Sequence, residues 1–223
     1  MVKPVINMKL LEKEQDTNSF INRLQVAMQE DSIISNILFE NLNVTSDNAI
    51  ETDGIEIKNV VFKNCHFFDF KLKGAYIFDT QFEDCDLSNC DFTESNFTKT
   101  SFNNCKILGS KFINTILNSV YMSNTNAQYS NFSEATIHQS TFKTSELEST
   151  YFEDVDLKSV TFTQCNLRES IFANTDLNGI NFSTCQIDGI AVTPSLLKGI
   201  CVTNYQSVEF AKLLGIKIVD NQI

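Results

Sequence analysis

Tryptophan is absent from this 223-residue chain; histidine and proline each occur twice and glycine seven times. So little proline and glycine leaves no room for long flexible linkers. No apolar run approaches the roughly 18 residues that a membrane-spanning helix needs. Bases are scarce as well: 17 Lys and Arg stand against 28 Asp and Glu, a formal charge of −11. That balance disfavours nucleic acid and anionic membrane as direct partners and favours basic ones. The opening residues MVKPVINMKLLEKEQ lack the apolar core and small-residue cleavage site of a signal peptide, so the expected location is cytoplasmic. His66 and His138 lie far apart, and no Ser-His-Asp, Cys-His, HExxH or phosphate-loop spacing occurs. Catalytic residues, metal ligands and cofactors are therefore none, and the chain is not expected to be an enzyme.

What the chain does have is a beat of five. From Ile57 to Val202 every fifth residue is a large apolar side chain, with one lapse to Ala127 and no slip of register. Five fits neither the 3.6 period of a helix nor the 2.0 of a flat strand, and it predicts a solenoid. Two residues before most of these positions sits a small one, and six of the seven cysteines (65, 85, 90, 105, 165, 185) occupy that place. Two inward positions per five suit a chain that turns a corner after every pentad. Phenylalanine alternates with aliphatic residues along the large positions, so Phe recurs every ten and the coil has an even number of sides. Stacked rings on two opposite walls, with Leu and Ile on the others, would fill the bore. Three thiols in a line at roughly 4.8 Å spacing cannot surround a tetrahedral zinc, so the cysteines read as packing residues.

Asp or Asn often lies between the small and large residues, as in CDLSN (85–89), CDFTE (90–94), SNFSE (130–134) and CNLRE (165–169). Over residues 55–203 the chain resembles the pentapeptide-repeat family, whose motif is A(D/N)LXX. The resemblance implies an all-β solenoid, a right-handed quadrilateral parallel β-helix with about 20 residues per coil, here with short N-terminal and C-terminal helices. About seven coils at the inter-strand spacing make a rod roughly 35 Å long.

Three regions follow. Residues 1–54 form an N-terminal cap and an imperfect first coil. Within them, 17–30 reads as a helix, with Phe20, Ile21, Leu24, Ala27 and Met28 apolar and Asp16 or Thr17 capping its start. This helix and the extended residues 2–11 are expected to cover the open coil edge near residue 57. Residues 33–44 read as the imperfect coil, and 45–54 as a loop with solvated acids. Residues 55–203 are the repeat. In 204–223, residues 206–214 read as a helix, Gly215 as its stop and 216–220 as a strand.

The tail carries more apolar surface than a short cap can hide. Asn204, Tyr205, Gln206, Leu214, Gly215 and Ile216 resemble the end of the Qnr and MfpA subgroup of the family, whose terminal helix and strand make a homodimer. That resemblance implies a dimer interface at Tyr205, Val208, Phe210, Leu213, Leu214, Ile216 and Ile218; a capping element on a monomer is the other reading. Members of the subgroup act on DNA gyrase and topoisomerase IV, some by imitating duplex DNA and others by protecting the enzyme from fluoroquinolones. The implied partner is thus a type II topoisomerase, with quinolone resistance as a possible correlate of the protecting members.

Sorted by side of the coil, the charges are uneven. One wall carries Asp69, Asp86, Glu146, Glu148, Glu169 and Asp188 against Lys106 and Arg168, a net of −4; the next sums to −2 and the other two to zero. Duplex DNA carries one charge per roughly 1.7 Å, about 20 over a rod of this length, so mimicry would rest on one acidic wall lengthened by dimerisation. The register has no insertion between 57 and 202, unlike the loop-bearing protective Qnr proteins. Two readings stay open: a DNA-mimicking interactor or inhibitor of the topoisomerase, and an interaction scaffold of the same fold with an unrelated partner.

Overall fold

A computed structural model of the chain describes residue 6, residues 11–45 and residues 52–219. The expected extended segment 2–11 and loop 45–54 fall largely outside these residues, as does Asp220. From residue 55 onward, strands pair in parallel with the pentad one coil later, Ile57 with Ile77 and Ile77 with Phe97. The fold is a parallel β-solenoid of about eight turns with two short helices. Walls A, B, C and D are named here by the inward residues Ile57, Phe62, Phe67 and Leu72 of the first regular coil.

Walls A and B are extended. Strands of three or four residues stack there into a seven-stranded and an eight-stranded sheet. Walls C and D touch mostly through single bridges, such as Asp86 with Lys106 and Asp91 with Lys111, with two-residue strand pairs near the ends. The residue before the large position contributes to the difference without deciding it, since Asn96 and Asp156 begin strands of wall A. On walls C and D it is Asp or Asn at 86, 91, 126, 131 and 166, whose Oδ1 accepts the backbone N–H two residues on: Asp86 from Ser88 and Asp91 from Thr93, both at 3.1 Å, and Asn131 from Ser133 at 2.8 Å. These Asx turns compete with an extended backbone. On walls A and B the same place holds mostly β-formers, among them Tyr76, Ile116, Tyr121, Thr136, Thr141 and Thr161. Every corner from residue 59 to residue 179 is left-handed, with φ between 46° and 79°. Asn, Asp and Gly are frequent there because they tolerate αL best.

The bore packs as the beat predicts. Phe39, Phe62, Phe82 and Phe102 stack at 5.3, 5.0 and 4.9 Å on wall B. Phe92, Phe112, Phe132, Phe152 and Phe172 stack at 4.7–5.2 Å on wall D. The two columns meet edge to face, Phe132 against Phe142 at 6.2 Å and 89°. The small inward residues are buried, and their hydroxyls donate to carbonyls of the preceding coil: Ser95 to Leu72 at 2.6 Å, Ser110 to Leu87 at 2.7 Å, Thr175 to Phe152 at 2.6 Å. The buried Cys85 and Cys90 thiols make the weaker equivalent at 3.3 Å, to Phe62 and Phe67.

At the N-terminal end, β1 (Glu12–Glu14), α1 (Thr17–Glu30), β2 (Ile33–Ser35), β3 (Ile37–Glu40) and β4 (Asn43–Val44) form the cap and first coil. Asp16 caps α1, accepting the Asn18 N–H at 3.1 Å. Ile34, Phe39 and Val44 lie over Ile57, Phe62 and Phe67, so 33–44 is indeed a first coil and supplies the cover over residue 57. β1 adds one more parallel strand, on β3. Phe20 is fully buried, with its ring 5.0–5.8 Å from those of Phe39, Phe62 and Phe67. Leu24 and Ala27 are buried beside it, but Met28, assigned to the same apolar face, is exposed because the step of about 100° from Ala27 turns it off the buried face.

At the C-terminal end, α2 (Asn204–Leu213) starts two residues earlier than expected. Thr203 and Gln206 form a capping box: Gln206 Oε1 accepts the Thr203 N–H at 2.8 Å, and Thr203 Oγ1 accepts the Gln206 N–H at 3.2 Å. Gly215 takes the left-handed φ of +75° that ends the helix. The strand expected over 216–220 is not formed in the described residues 216–219.

Candidate functional site

The six acids assigned to one wall do lie along wall C, but not as one patch. Glu146, Glu148, Glu169 and Asp188 fall on three consecutive coils, with Arg168 among them. Asp69 and Asp86 sit on the two coils that begin the regular repeat. Between the groups lie two coils bearing Lys106, Leu108, Asn126, Gln128 and Tyr129. Asp86 and Glu146 are three coil spacings apart, about 14 Å, which exceeds the Debye length of about 8 Å at physiological salt. The expected continuous acidic wall is therefore a four-acid cluster plus an isolated pair.

Five of the six acids have a partner within their wall. Arg168 Nε reaches Asp188 at 3.3 Å and Lys106 Nζ reaches Asp86 at 3.9 Å. Asn166 donates to Glu146 at 2.8 Å, Gln128 to Glu148 at 2.9 Å and Ser149 to Glu169 at 3.4 Å. The amide and hydroxyl donors order the carboxylates without neutralising them. Glu146, Glu169 and Asp188 stay exposed. Asp69 and Glu169 occupy left-handed corners, with φ of 52° and 56°.

Apolar residues break the polar surface of wall C outside the cluster: Phe68, Leu108 and Tyr129 are 54%, 36% and 60% exposed. On wall A, Asp156 is held by Lys158 at 2.8 Å and His138 at 3.0 Å, and the lysine keeps its carboxyl below the usual range.

The C-terminal residues divide by exposure. Tyr205, Leu213, Leu214, Ile216 and Ile218 are all exposed, Tyr205 at 84%, and Val208 is half-buried. Phe210 departs from the expected interface set: it is buried against the end of its own solenoid. Gln206, expected only as one of the tail residues, is buried too and donates to Phe182 O at 2.9 Å and Cys185 O at 2.8 Å. The Thr203–Gln206 spacing was the signal for its role.

Six cysteines are buried and Cys201 is exposed. Burial pushes the Cys90 thiol up to about 12. The Cys85 thiol and burial raise Cys65, and the Cys185 thiol and burial raise Cys165. Thiols so held are poor nucleophiles and act as packing groups. Among the described residues no group of three His, Cys, Asp or Glu side chains is placed to hold a metal, and no helix is long and apolar enough to cross a membrane.

A family model for the pentapeptide repeat region matches residues 55–132, 95–172 and 135–210. The chain belongs to the pentapeptide-repeat family. No curated protein sequence matches it. Among solved structures it is similar to HetL, a pentapeptide-repeat protein involved in heterocyst differentiation regulation from the cyanobacterium Nostoc sp. PCC 7120. That pair has 11% identity and a TM-score of 0.48, covering 76% of this chain and 86% of HetL. It is also similar to full-length QnrB1, a plasmid-mediated fluoroquinolone resistance protein. Here identity is 16% and the TM-score 0.33, covering 83% and 99% of the two chains. A pentapeptide-repeat protein of the Arabidopsis thaliana thylakoid lumen has 18% identity and a TM-score of 0.24, covering 59% and 71%. At these TM-scores the likenesses carry no functional argument.

Proposed function

We propose that this pentapeptide-repeat protein is a non-enzymatic, cytoplasmic binding protein that holds a basic protein surface against wall C. The partner we assign is the DNA-binding surface of a type II topoisomerase, DNA gyrase in the first instance. The observation that carries the reading is the cluster of Glu146, Glu148, Glu169 and Asp188, whose ordered carboxylates face solvent over three coils. The Qnr-like and MfpA-like residues of the tail support the choice of partner. The unbroken pentad favours direct inhibition over drug protection by a projecting loop.

A gyrase supercoiling assay tests it. Micromolar protein is expected to reduce supercoiling, and reversing Glu146, Glu148 and Glu169 together to lysine to abolish the effect. Unchanged supercoiling with the wild type removes the topoisomerase, and retained inhibition by the reversed variant removes the wall. The second reading, a scaffold for an unrelated partner, is favoured by Lys106, Leu108 and Tyr129, which interrupt the acids where a DNA mimic needs continuity.

The same proposal includes a homodimer through the C-terminus. Tyr205, Leu213, Leu214, Ile216 and Ile218 leave an apolar surface at one end of the rod. Leu214→Asp is the probe, because Phe210 belongs to the protomer's own packing. Sedimentation is expected to give a dimer for the wild type and a monomer for the variant; a monomeric wild type ends the idea.

A further inference from the structure

The ladder that joins coil to coil stops on two walls at one place. In coil 175–194, walls A and B abandon the extended form. Ile180 donates to Leu177 O at 3.0 Å and Cys185 to Phe182 O at 2.8 Å, the tight-turn bonds seen elsewhere on walls C and D. Asp176 and Asn181 accept from the Asn178 and Ser183 backbone at 3.0 and 2.9 Å, so the Asx turn has moved onto walls that were extended for six coils. On walls A and B these turns do not continue the hydrogen-bond register of the strands before them.

Among the described residues, no backbone hydrogen bond links 156–163 to 176–183. One coil earlier the equivalents are intact: Gln139 donates to Lys158 O at 2.8 Å and Thr161 to Ser140 O at 3.0 Å. Walls C and D stay joined across the same boundary, Leu167 to Gln186 O at 2.8 Å and Glu169 to Asp188 O at 3.0 Å on wall C, and Ala191 to Ser170 O at 2.9 Å on wall D. The gap ends at two hydroxyls, Thr175 accepting from Val155 N–H at 3.0 Å and Thr184 from Gln164 N–H at 3.1 Å.

Three further observations mark the same seam. Leu157 is half-buried, although every earlier inward residue of wall A is buried. Phe162 and Phe182 are tilted by 43° at 5.7 Å, where Phe142 and Phe162 stack at 13° and 5.0 Å. A hollow of about 180 Å³ opens between Thr161, Thr163, Gly179, Asn181 and Thr184.

We propose that this seam divides the solenoid into two cooperative units, and that residues 175–219 open as one body while residues 55–174 stay closed. Neighbouring coils stabilise each other through their shared interface, so a coil that has lost half its ladder is where opening concentrates. The boundary also splits the acidic cluster: Glu146, Glu148 and Glu169 lie on the closed unit and Asp188 on the opening one. The division stands whether or not any partner binds wall C.

Native-state hydrogen exchange on the full chain tests it. The Leu157, Ser159 and Phe162 amides are expected to exchange at least about 100-fold faster than those of Ile137, Gln139 and Phe142. Protection at Leu167 and Glu169 should fall together, at least about 10-fold below Leu147 and Ser149, with no comparable step between those and Ala127 and Tyr129. A double variant Asp176→Thr/Asn181→Thr, which gives the pentads extended-wall residues, should remove the step. Even protection, or a smooth decline along the rod, overturns the proposal, as does a folded double variant that keeps the step. If that variant does not fold, the wild-type profile decides.

Discussion

The two ends of the rod close differently. At the N-terminal end β1 continues the hydrogen-bond ladder of wall B by one strand, and Phe20 fills the bore against three rings. At the C-terminal end α2 supplies apolar cover through Phe210 and two hydrogen bonds through Gln206, but the ladder beneath it is broken on two walls. Cover alone does not make a closed end. Backbone groups need partners as well as shade, and only the first end offers both.

The sharpest way to break this contrast is to empty each end in turn. Phe20→Ala is expected to cost about 3–5 kcal/mol, the same as Phe152→Ala in mid-rod, because each leaves a cavity among packed rings. Phe210→Ala should leave the main thermal transition nearly unmoved, since its unit opens first. Circular dichroism melts of the three variants decide, and an equal fall for Phe210→Ala erases the contrast. Gln206→Ala comes next, at about 1–3 kcal/mol, because it strands the Cys185 carbonyl and leaves Phe182 O only the Cys185 N–H. Its loss should appear in the exchange of residues 175–203 rather than in the main transition.

Asp16→Ala removes the α1 cap and is expected to cost about 0.5–2 kcal/mol in the main transition. The smallest effect is in acid. Glu14 accepts from Arg23 at 2.8 Å and from Ser19 at 2.9 Å, and the arginine holds the Glu14 carboxyl below its ordinary 4.5. A lowered carboxylate pKa stabilises the fold above the ordinary value, and that stability is lost as pH falls through the lowered one. Urea melts from pH 6 down to pH 3 should therefore show a steeper acid decline for the wild type than for Arg23→Ala. Equal declines would mean that the pair contributes nothing to this end.

Most of the bore was readable because few architectures besides a square coil repeat every five residues. The large and small inward positions, the alternating Phe columns, the first coil and both helices all follow from spacing and residue size. The wall conformations were only partly in the sequence. Asx turns form at Asp86, Asp91 and Asn131, yet Asn96 and Asp156 begin strands of wall A and Tyr151 and Ile171 stand on wall D, so residue type alone does not place the change at the seam. Left-handed corners two residues past each large position have a similar signature in Asn59, Asn64, Gly74 and Asn89. The partition of wall C was hidden because tallying charge by side ignores position along the rod. The role of Phe210 needed the fold, since one apolar helix residue can face its own core or another molecule equally well.

The coil repeat of 20 residues has a consequence for how such a chain can change length. Excising one whole circuit, for instance 95–114, would bring like pentads together and leave every later side chain on its original compass bearing. Excising a single pentad would instead rotate everything downstream by a quarter turn, carrying Glu146, Glu148 and Glu169 to an adjoining flank. Lineages of this protein should therefore gain and lose length in full circuits wherever a binding flank is under selection.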